Sequence, residues 1–208
     1  MSSPSTLSSI NAGREPRTKL SIRRIRRSEL PADTVQLSRF LIGKVVVHEL
    51  PAGRVSGRIV ETEAYVGAHD LACHASKGRT RRTEVMFGPA GHAYVYLIYG
   101  MYPMFNIVAS VPGDAQAVLI RAAEPLDGWD ADLSGPGKLT RAFGITCTQN
   151  GVDLAGRELF LLEGTPPPTI AVTKRIGVDY AQEWSHAMLR FIDKNSRAVS
   201  KVRAVRSE

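Results

Sequence analysis

The stretch VSGRIVETEAYV, Val55 to Val66, decides the fold. It follows a turn at Pro51, Ala52 and Gly53, and its β-branched residues and two-residue period predict one long strand. Regular alternation would place Ile59, Glu61, Glu63 and Tyr65 on one face. Two carboxylates and an aromatic ring on a buried strand face are costly without a purpose. On a solvent-facing edge, alternating Glu is ordinary, and the pattern alone leaves both readings open.

Outward from this strand, Lys44 to Leu50 reads as a preceding β-branched strand. Ser28 to Phe40 reads as a capped amphipathic helix, with Pro31 and Asp33 at its start. Downstream, Gly67 to Met86 has neither helical nor strand period and predicts a long loop with short helical pieces, a length that usually marks function. Ala93 to Tyr99 and Phe105 to Ser110 predict a hairpin around Gly100 to Pro103. Ala117 to Ala123, Glu158 to Glu163 and Arg190 to Ile192 complete the strands. Asp127 to Gly137 reads as a turn-rich linker and Lys138 to Phe143 as a short helix. Strands dominate, so the fold class expected is α+β, a single mixed domain with a mainly antiparallel sheet and a few flanking helices.

The chain has 208 residues, 43% hydrophobic and 23% charged, ordinary globular values. No apolar run is long enough to cross a membrane. Formal charge is +7, but residues 1–27 hold seven basic residues against one acidic, and residues 194–208 five against one, leaving the body at −3. Domain boundaries follow: a disordered basic tail over 1–21, a folded domain over 22–194 and a basic C-terminal tail over 195–208. Cys73 and Cys147 form neither a disulfide framework nor a zinc pattern, and the Ser-rich start has no apolar signal core, so a reduced, cytoplasmic setting is expected.

Two motifs fail. Gly135-Pro136-Gly137-Lys138 lacks the Walker pattern, since Asp132 and Leu139 occupy its Gly and Ser/Thr positions; what remains is a Gly-rich helix start whose N–H groups could face a phosphate. His69, Asp70 and His74 match no metal-ligand spacing, so no metal and no cofactor are expected. Two clusters hold. Tyr94, Tyr96, Tyr99 and Tyr102 crowd around the hairpin, where rings can stack on a planar base or wedge into a base step; core packing is the plain alternative. Lys77, Arg79, Arg81 and Arg82 form the one dense basic cluster of an otherwise acidic body, suited to phosphate.

Six collinear blocks carry a resemblance: GRIVETEAYVG (Gly57 to Gly67), the loop His74 to Phe87 with GRTRR, YVYLIYGMYPMFNI (Tyr94 to Ile107), LIRAAEP (Leu119 to Pro125), SGPGKL (Ser134 to Leu139) and RIGV (Arg175 to Val178). Over about Leu37 to Phe191 the chain resembles the alkyladenine or 3-methyladenine DNA glycosylase family. The resemblance implies a curved antiparallel sheet with a protruding hairpin. The expected partner is double-stranded DNA containing damaged purines, bound by a monomer that flips the purine out and hydrolyses its N-glycosidic bond with water.

Carried over by motif, Glu63 resembles the general base, Arg121 its partner in holding the water, and the Val178 carbonyl a third contact. Tyr65, His74 and Tyr96 resemble the walls of the base pocket, the His74 main-chain N–H its reader, and Asn106 the filter against the guanine amino group. Tyr99 resembles the wedge, and Met101, Tyr102, Gly137 and Lys138 take places along the DNA backbone with the basic cluster. Glu61 is left with a structural role. No Lys matches a pocket position, which implies a monofunctional enzyme. The chain departs from the family at Thr83, where Asn is common, and in a short segment between Pro125 and Ser134; the first puts one loop hydrogen bond in doubt, and the second suggests that the basic tails compensate in binding DNA. Two rival readings stand: a carbohydrate glycosidase using Glu61 and Glu63 as an acid and base pair, and a non-catalytic nucleic-acid-binding module.

Overall fold

The structure is a computed structural model and describes residues 23–200. The expected N-terminal tail and the end of the C-terminal one lie outside the described residues. Strand β1 (Val45–Leu50) leads through a tight turn into β2 (Gly53–Tyr65), the long strand expected from Val55 to Val66. β3 (Ala93–Ile98) and β4 (Tyr102–Ala109) form the hairpin, followed by β5 (Gln116–Pro125), β6 (Leu159–Leu162), β7 (Ile170–Thr173) and β8 (Arg190–Asp193). The order across the sheet is β3-β4-β5-β2-β1-β6, with β8 joining β2 to β7. Every named pairing is antiparallel. The result is the expected α+β class, a single domain on a curled sheet.

β2 is central because it is paired on both sides. β5 follows it from Gly57 to Tyr65, while on its other edge β1 covers the first half and β8 the stretch Glu61 to Glu63. The β2–β5 register shifts between Ile59 and Thr62. This bulge changes which side chains share a face. Ile59 packs in the main core with Leu37, Leu41 and Phe191, whereas Glu61 and Glu63 both reach Arg121. The face shared by Ile59 with the two carboxylates is therefore corrected: Glu61, Glu63 and Tyr65 remain together, and Ile59 turns away.

Two helices cover the core face. α1 (Thr34–Leu41) is capped by Asp33, whose carboxylate accepts the Gln36 N–H at 2.7 Å, and Thr62 of β2 donates its hydroxyl to Ser38 O at 3.0 Å. α2 (Pro136–Phe143) starts two residues before the expected Lys138, with Pro136 at a position where its missing N–H costs nothing, and ends at Gly144 in the left-handed region. Leu37, Leu41, Ile107, Ile120, Leu139 and Phe143 are buried between helices and sheet, each stabilising the fold by roughly 1.5–3 kcal/mol relative to exposure. Among the described residues no helix is long and apolar enough to cross a membrane.

Four local readings differ. α1 begins only at Thr34, with a short 3₁₀ turn at Arg27–Glu29 before it. The hairpin turn is Tyr99-Gly100-Met101 alone, because Ile98 pairs with Tyr102 and Pro103 lies in the strand. β7 is not among the expected strands, being only four residues long and starting two residues after Pro168. Residues 195–200, assigned above to the C-terminal tail, pack on the domain: the Ser196 hydroxyl donates to Glu124 at 2.6 Å, and Ser200 is buried against Glu61.

Candidate active site

The hairpin, the loop after β2 and the segment before β8 enclose a cleft lined by Tyr65, His74, Tyr96, Tyr99, Arg121 and Val178, with Arg82 and Tyr180 at its wall and rim. A narrower slot opens beside it between Tyr65, His74, Tyr94, Tyr96 and Asn106. Tyr65 ends β2, and Tyr94 and Tyr96 stand on one face of β3, so strand alternation brings the rings together. His74 lies 4.4 Å from Tyr96 between ring centroids, edge to face, and its Nδ1 is 2.9 Å from the Tyr94 hydroxyl. The His74 and Tyr96 rings touch, so the slot is closed between them; with Tyr65 they also line the larger cleft, where a flat ring can stack on them.

His74 opens a 3₁₀ turn (His74–Lys77), which leaves its main-chain N–H without an intrahelical partner, and none is made among the described residues. Asn106 donates both amide protons, to Tyr94 O and Met104 O at 3.2 Å each, so its side chain is pinned. Thr83 is 3% exposed, and its hydroxyl oxygen accepts the Thr80 N–H at 2.8 Å and bonds Gly78 O at 3.0 Å. The departure at that position thus leaves the loop with its hydrogen bonds.

Beneath the slot Glu63 is fully buried. Its Oε2 accepts from the Tyr65 hydroxyl at 2.9 Å and Arg121 Nη1 at 3.2 Å, and its Oε1 accepts the Ile176 N–H at 2.8 Å. A carboxylate oxygen accepts two hydrogen bonds, so Oε2 is filled and Oε1 keeps one free position. Burial pushes the Tyr65 hydroxyl well above its ordinary range and the Glu63 charge adds to this, so Tyr65 stays a donor. Burial opposes the charge of Arg121, but Glu63 and Glu61 outweigh it and raise its pKa. Arg121 Nη2 makes no bond among the described residues.

Glu61, also fully buried, accepts from Arg121 Nε at 2.9 Å, Arg190 Nε at 2.7 Å and Ser200. Neither Glu61 nor Glu63 lines the cleft surface itself; Arg121, which does, joins both. Asp70, read from sequence as a weak metal candidate, grips Arg175 through two bonds, 2.5 and 2.8 Å, with both side chains fully buried. The Arg175 guanidinium stands 4.8 Å from the centre of the Tyr65 ring.

The remaining expected contacts sit around this centre. Arg82 donates to Leu97 O at 3.1 Å and lies 5.0 Å from the Tyr96 ring centre, which makes it part of the slot wall. Arg79 is already matched by Glu84, and Lys138 by Asp132 at 2.7 Å. Lys77 and Arg81 are exposed. Met101, Tyr102, Gly137 and Lys138 line a second groove between the far side of the hairpin and α2. Sequence reading missed the Ile176 N–H, Arg175, Arg190, Ser200 and Tyr180. Arginines within the apolar runs LIRAA and LRFI were the available signal, because a buried guanidinium needs a buried carboxylate.

Burial, with the Arg82 charge adding to it, pushes the His74 imidazole from 6.5 down to about 4. Between these values the folded chain binds fewer protons at His74 than the unfolded one. The corresponding stability is complete above pH 6.5 and is lost as pH falls toward 4, up to roughly 3 kcal/mol. The thermal midpoint should therefore drop more steeply from pH 7 to pH 4.5 in the native chain than in His74→Gln. Equal slopes would remove His74 as the cause.

The aromatic cleft over a buried carboxylate and arginine is the site of a DNA glycosylase by family, as the comparisons with known proteins show. The model of the methylpurine-DNA glycosylase (MPG) family matches residues 28–197. Similar proteins include one from Methanocella arvoryzae, 51% identical over 182 residues that cover 81% of this chain and 91% of the relative. Another, from Legionella pneumophila strain Lens, is 48% identical over 86% of this chain and all of its own. A third, from Myxococcus xanthus, is 52% identical over 79% and 87%. Each carries the provisional name of a 3-methyladenine DNA glycosylase. The chain belongs to the methylpurine-DNA glycosylase family, whose enzymes are monofunctional N-glycosyl hydrolases of base-excision repair.

Proposed function

We propose that the protein flips a damaged purine of the 3-methyladenine class out of duplex DNA and cuts its N-glycosidic bond with a water activated by Glu63. The observation that carries this reading is the buried carboxylate directly behind the aromatic slot, with one lone pair free on Oε1. A water there would be held by Oε1, by Arg121 Nη2 and by the Val178 carbonyl, which among the described residues accepts only the Ala181 N–H. Loss of its proton to Glu63 generates the nucleophile as the bond to the purine breaks. A 3- or 7-alkylated purine is already cationic and leaves without a general acid. His74, neutral at physiological pH, adds no opposing charge to the slot.

Tyr65, His74 and Tyr96 form the stack, the His74 N–H reads the ring edge, and the pinned Asn106 excludes an exocyclic amino group by its bulk. Tyr99 is the wedge. It is 86% exposed at the hairpin turn, with φ at 53° and Gly100 following at 69°. A left-handed backbone is unfavourable for a tyrosine, and here it sets an exposed ring at the tip beside the cleft. Backbone contacts fall to Arg81, Lys77, Arg79 and Arg82 on one side and to Met101, Tyr102, Gly137 and Lys138 in the groove beyond the hairpin. The carbohydrate glycosidase reading is disfavoured because two arginines and Ser200 occupy both oxygens of Glu61. Glu63 also argues against a module that has lost its chemistry.

Duplexes each bearing one lesion test the reading: freed bases are resolved by chromatography and the strands by denaturing electrophoresis. Free alkylated purine and an intact strand with an abasic site are expected. No released base, or a cut strand, would refute it. In the same assay Tyr99→Ala should weaken lesion binding by about tenfold, as expected for loss of one stacked ring, and slow release at saturating enzyme much less. Unchanged affinity would remove Tyr99 as the wedge.

A further inference from the structure

Beyond β8 the chain passes back across β5 and β2, pinned by Ser196 on Glu124, and reaches Ser200, which is 9% exposed. We infer that Ser200 is a positioning residue for the reaction, fixing Glu61 and, through it, the Arg121 guanidinium that meets Glu63. The inference rests on the glycosylase reading of Glu63 and Arg121.

Glu61 has no solvent to satisfy its charge. Its Oε1 accepts from Arg121 Nε and Arg190 Nε. Its Oε2 has donors, among the described residues, only from Ser200: the N–H at 2.6 Å and the hydroxyl at 2.6 Å. The hydroxyl oxygen is equally close to Oε1, but one proton serves one acceptor at a time. Arg190 Nη2 closes the ring by donating to Ser200 O at 3.4 Å.

Arg121 is strung between the two carboxylates, 2.9 Å from Glu61 and 3.2 Å from Glu63. The longer contact is the one beside the proposed water. If the Ser200 hydroxyl is removed, Glu61 gains an unpaired lone pair while fully buried, and an unpaired buried acceptor is costly. Two guanidinium groups touch Glu61, Arg190 at 2.7 Å and Arg121 at 2.9 Å; Arg190 is held at its far end by Ser200 O, and any rotation of Arg121 toward Glu61 Oε2 draws Nη1 away from Glu63.

The test measures single-turnover base release by enzyme in excess, together with affinity for a duplex carrying an uncleavable abasic-site analogue. Ser200→Ala should release base about tenfold more slowly, the scale of one charge-assisted hydrogen bond, with affinity within about twofold of native. Ser200→Thr, which keeps the hydroxyl, should restore the rate. In a Glu61→Gln background, Ser200→Ala should add nothing, since the path through residue 61 is already broken. If Ser200→Ala does not fold, Ser200→Cys, which keeps the volume and weakens the donor, is read in its place. Full rate in the folded variant, a loss shared equally by affinity, or an undiminished further loss in the Glu61→Gln background each overturns the inference. A native chain that releases no purine overturns the glycosylase reading and this inference with it. A native chain that does so while Ser200→Ala keeps pace overturns the inference alone.

Discussion

Glu63→Gln is expected to bind a lesion-bearing duplex much as the native chain does and to release purine about 10³-fold more slowly, the middle of the range for loss of a general base. The hydrogen-bond pattern says why an amide cannot substitute. Oε2 faces two donors, the Tyr65 hydroxyl and Arg121 Nη1, and Oε1 faces one, the Ile176 N–H. The amide oxygen will take the position with two donors, because the opposite choice sets an NH₂ group against both. Its NH₂ then occupies the Oε1 position, where the only free lone pair of the carboxylate had been, so the group that should accept a proton from water becomes a donor. Glu61→Gln is the control. Two arginines and Ser200 occupy both oxygens of Glu61, so its effect should be a slowing near tenfold, comparable with one charge-assisted bond, accompanied by lower stability from two less well matched arginines. Single-turnover rates on one alkylated duplex separate the cases. Release by Glu63→Gln within tenfold of native, or equal losses in the two variants, would take the base role from Glu63.

The fold was legible where one period ran for long enough. Val55 to Val66 announced the central strand, and the tyrosine-rich runs announced the hairpin whose tip carries Tyr99. The bulge at Val60 was not legible, because a register shift depends on the partner strand and leaves no mark on hydropathy. Glu61 and Glu63 look identical in the alternation VETEA. Apart from the Tyr65 hydroxyl on Glu63, they differ through what arrives from far along the chain: Arg190 and Ser200 on Glu61, the Ile176 N–H on Glu63. A main-chain N–H has no residue signature, so that contact could not be read at all. Ser200 was hidden by its surroundings, since the basic residues beside it made the whole segment look like a solvated tail.

Asp70→Asn should lower the thermal midpoint by roughly 10 °C, since breaking a buried ion pair from one side costs about 3–5 kcal/mol. The Arg175 guanidinium that it leaves behind is fully buried, and its Nε already lacks a partner among the described residues. The pair also ties three segments together. Arg175 donates to Ala64 O at the end of β2 and to Trp184 O beyond the site, while Asp70 accepts the Val66 and Ala72 N–H groups that shape the loop toward His74. The next residue, Ile176, supplies the N–H on Glu63, and the guanidinium backs the Tyr65 ring. Stability and chemistry can be separated by a second variant, Asp70→Leu with Arg175→Met. Removing both charges spares the unpaired ion and should recover most of the midpoint, since apolar replacement of a buried pair is often neutral. Base release should stay depressed, because no methionine can hold Ala64 O and Trp184 O or fix the segment that presents Ile176 to Glu63. A midpoint for Asp70→Asn within 1–2 °C of native, an interval well inside the shift estimated for so large a ΔΔG, would mean that water or a shifted backbone satisfies Arg175 and that the pair is not what holds this wall. Full activity in the double variant would show that Tyr65 and Ile176 keep their places without it.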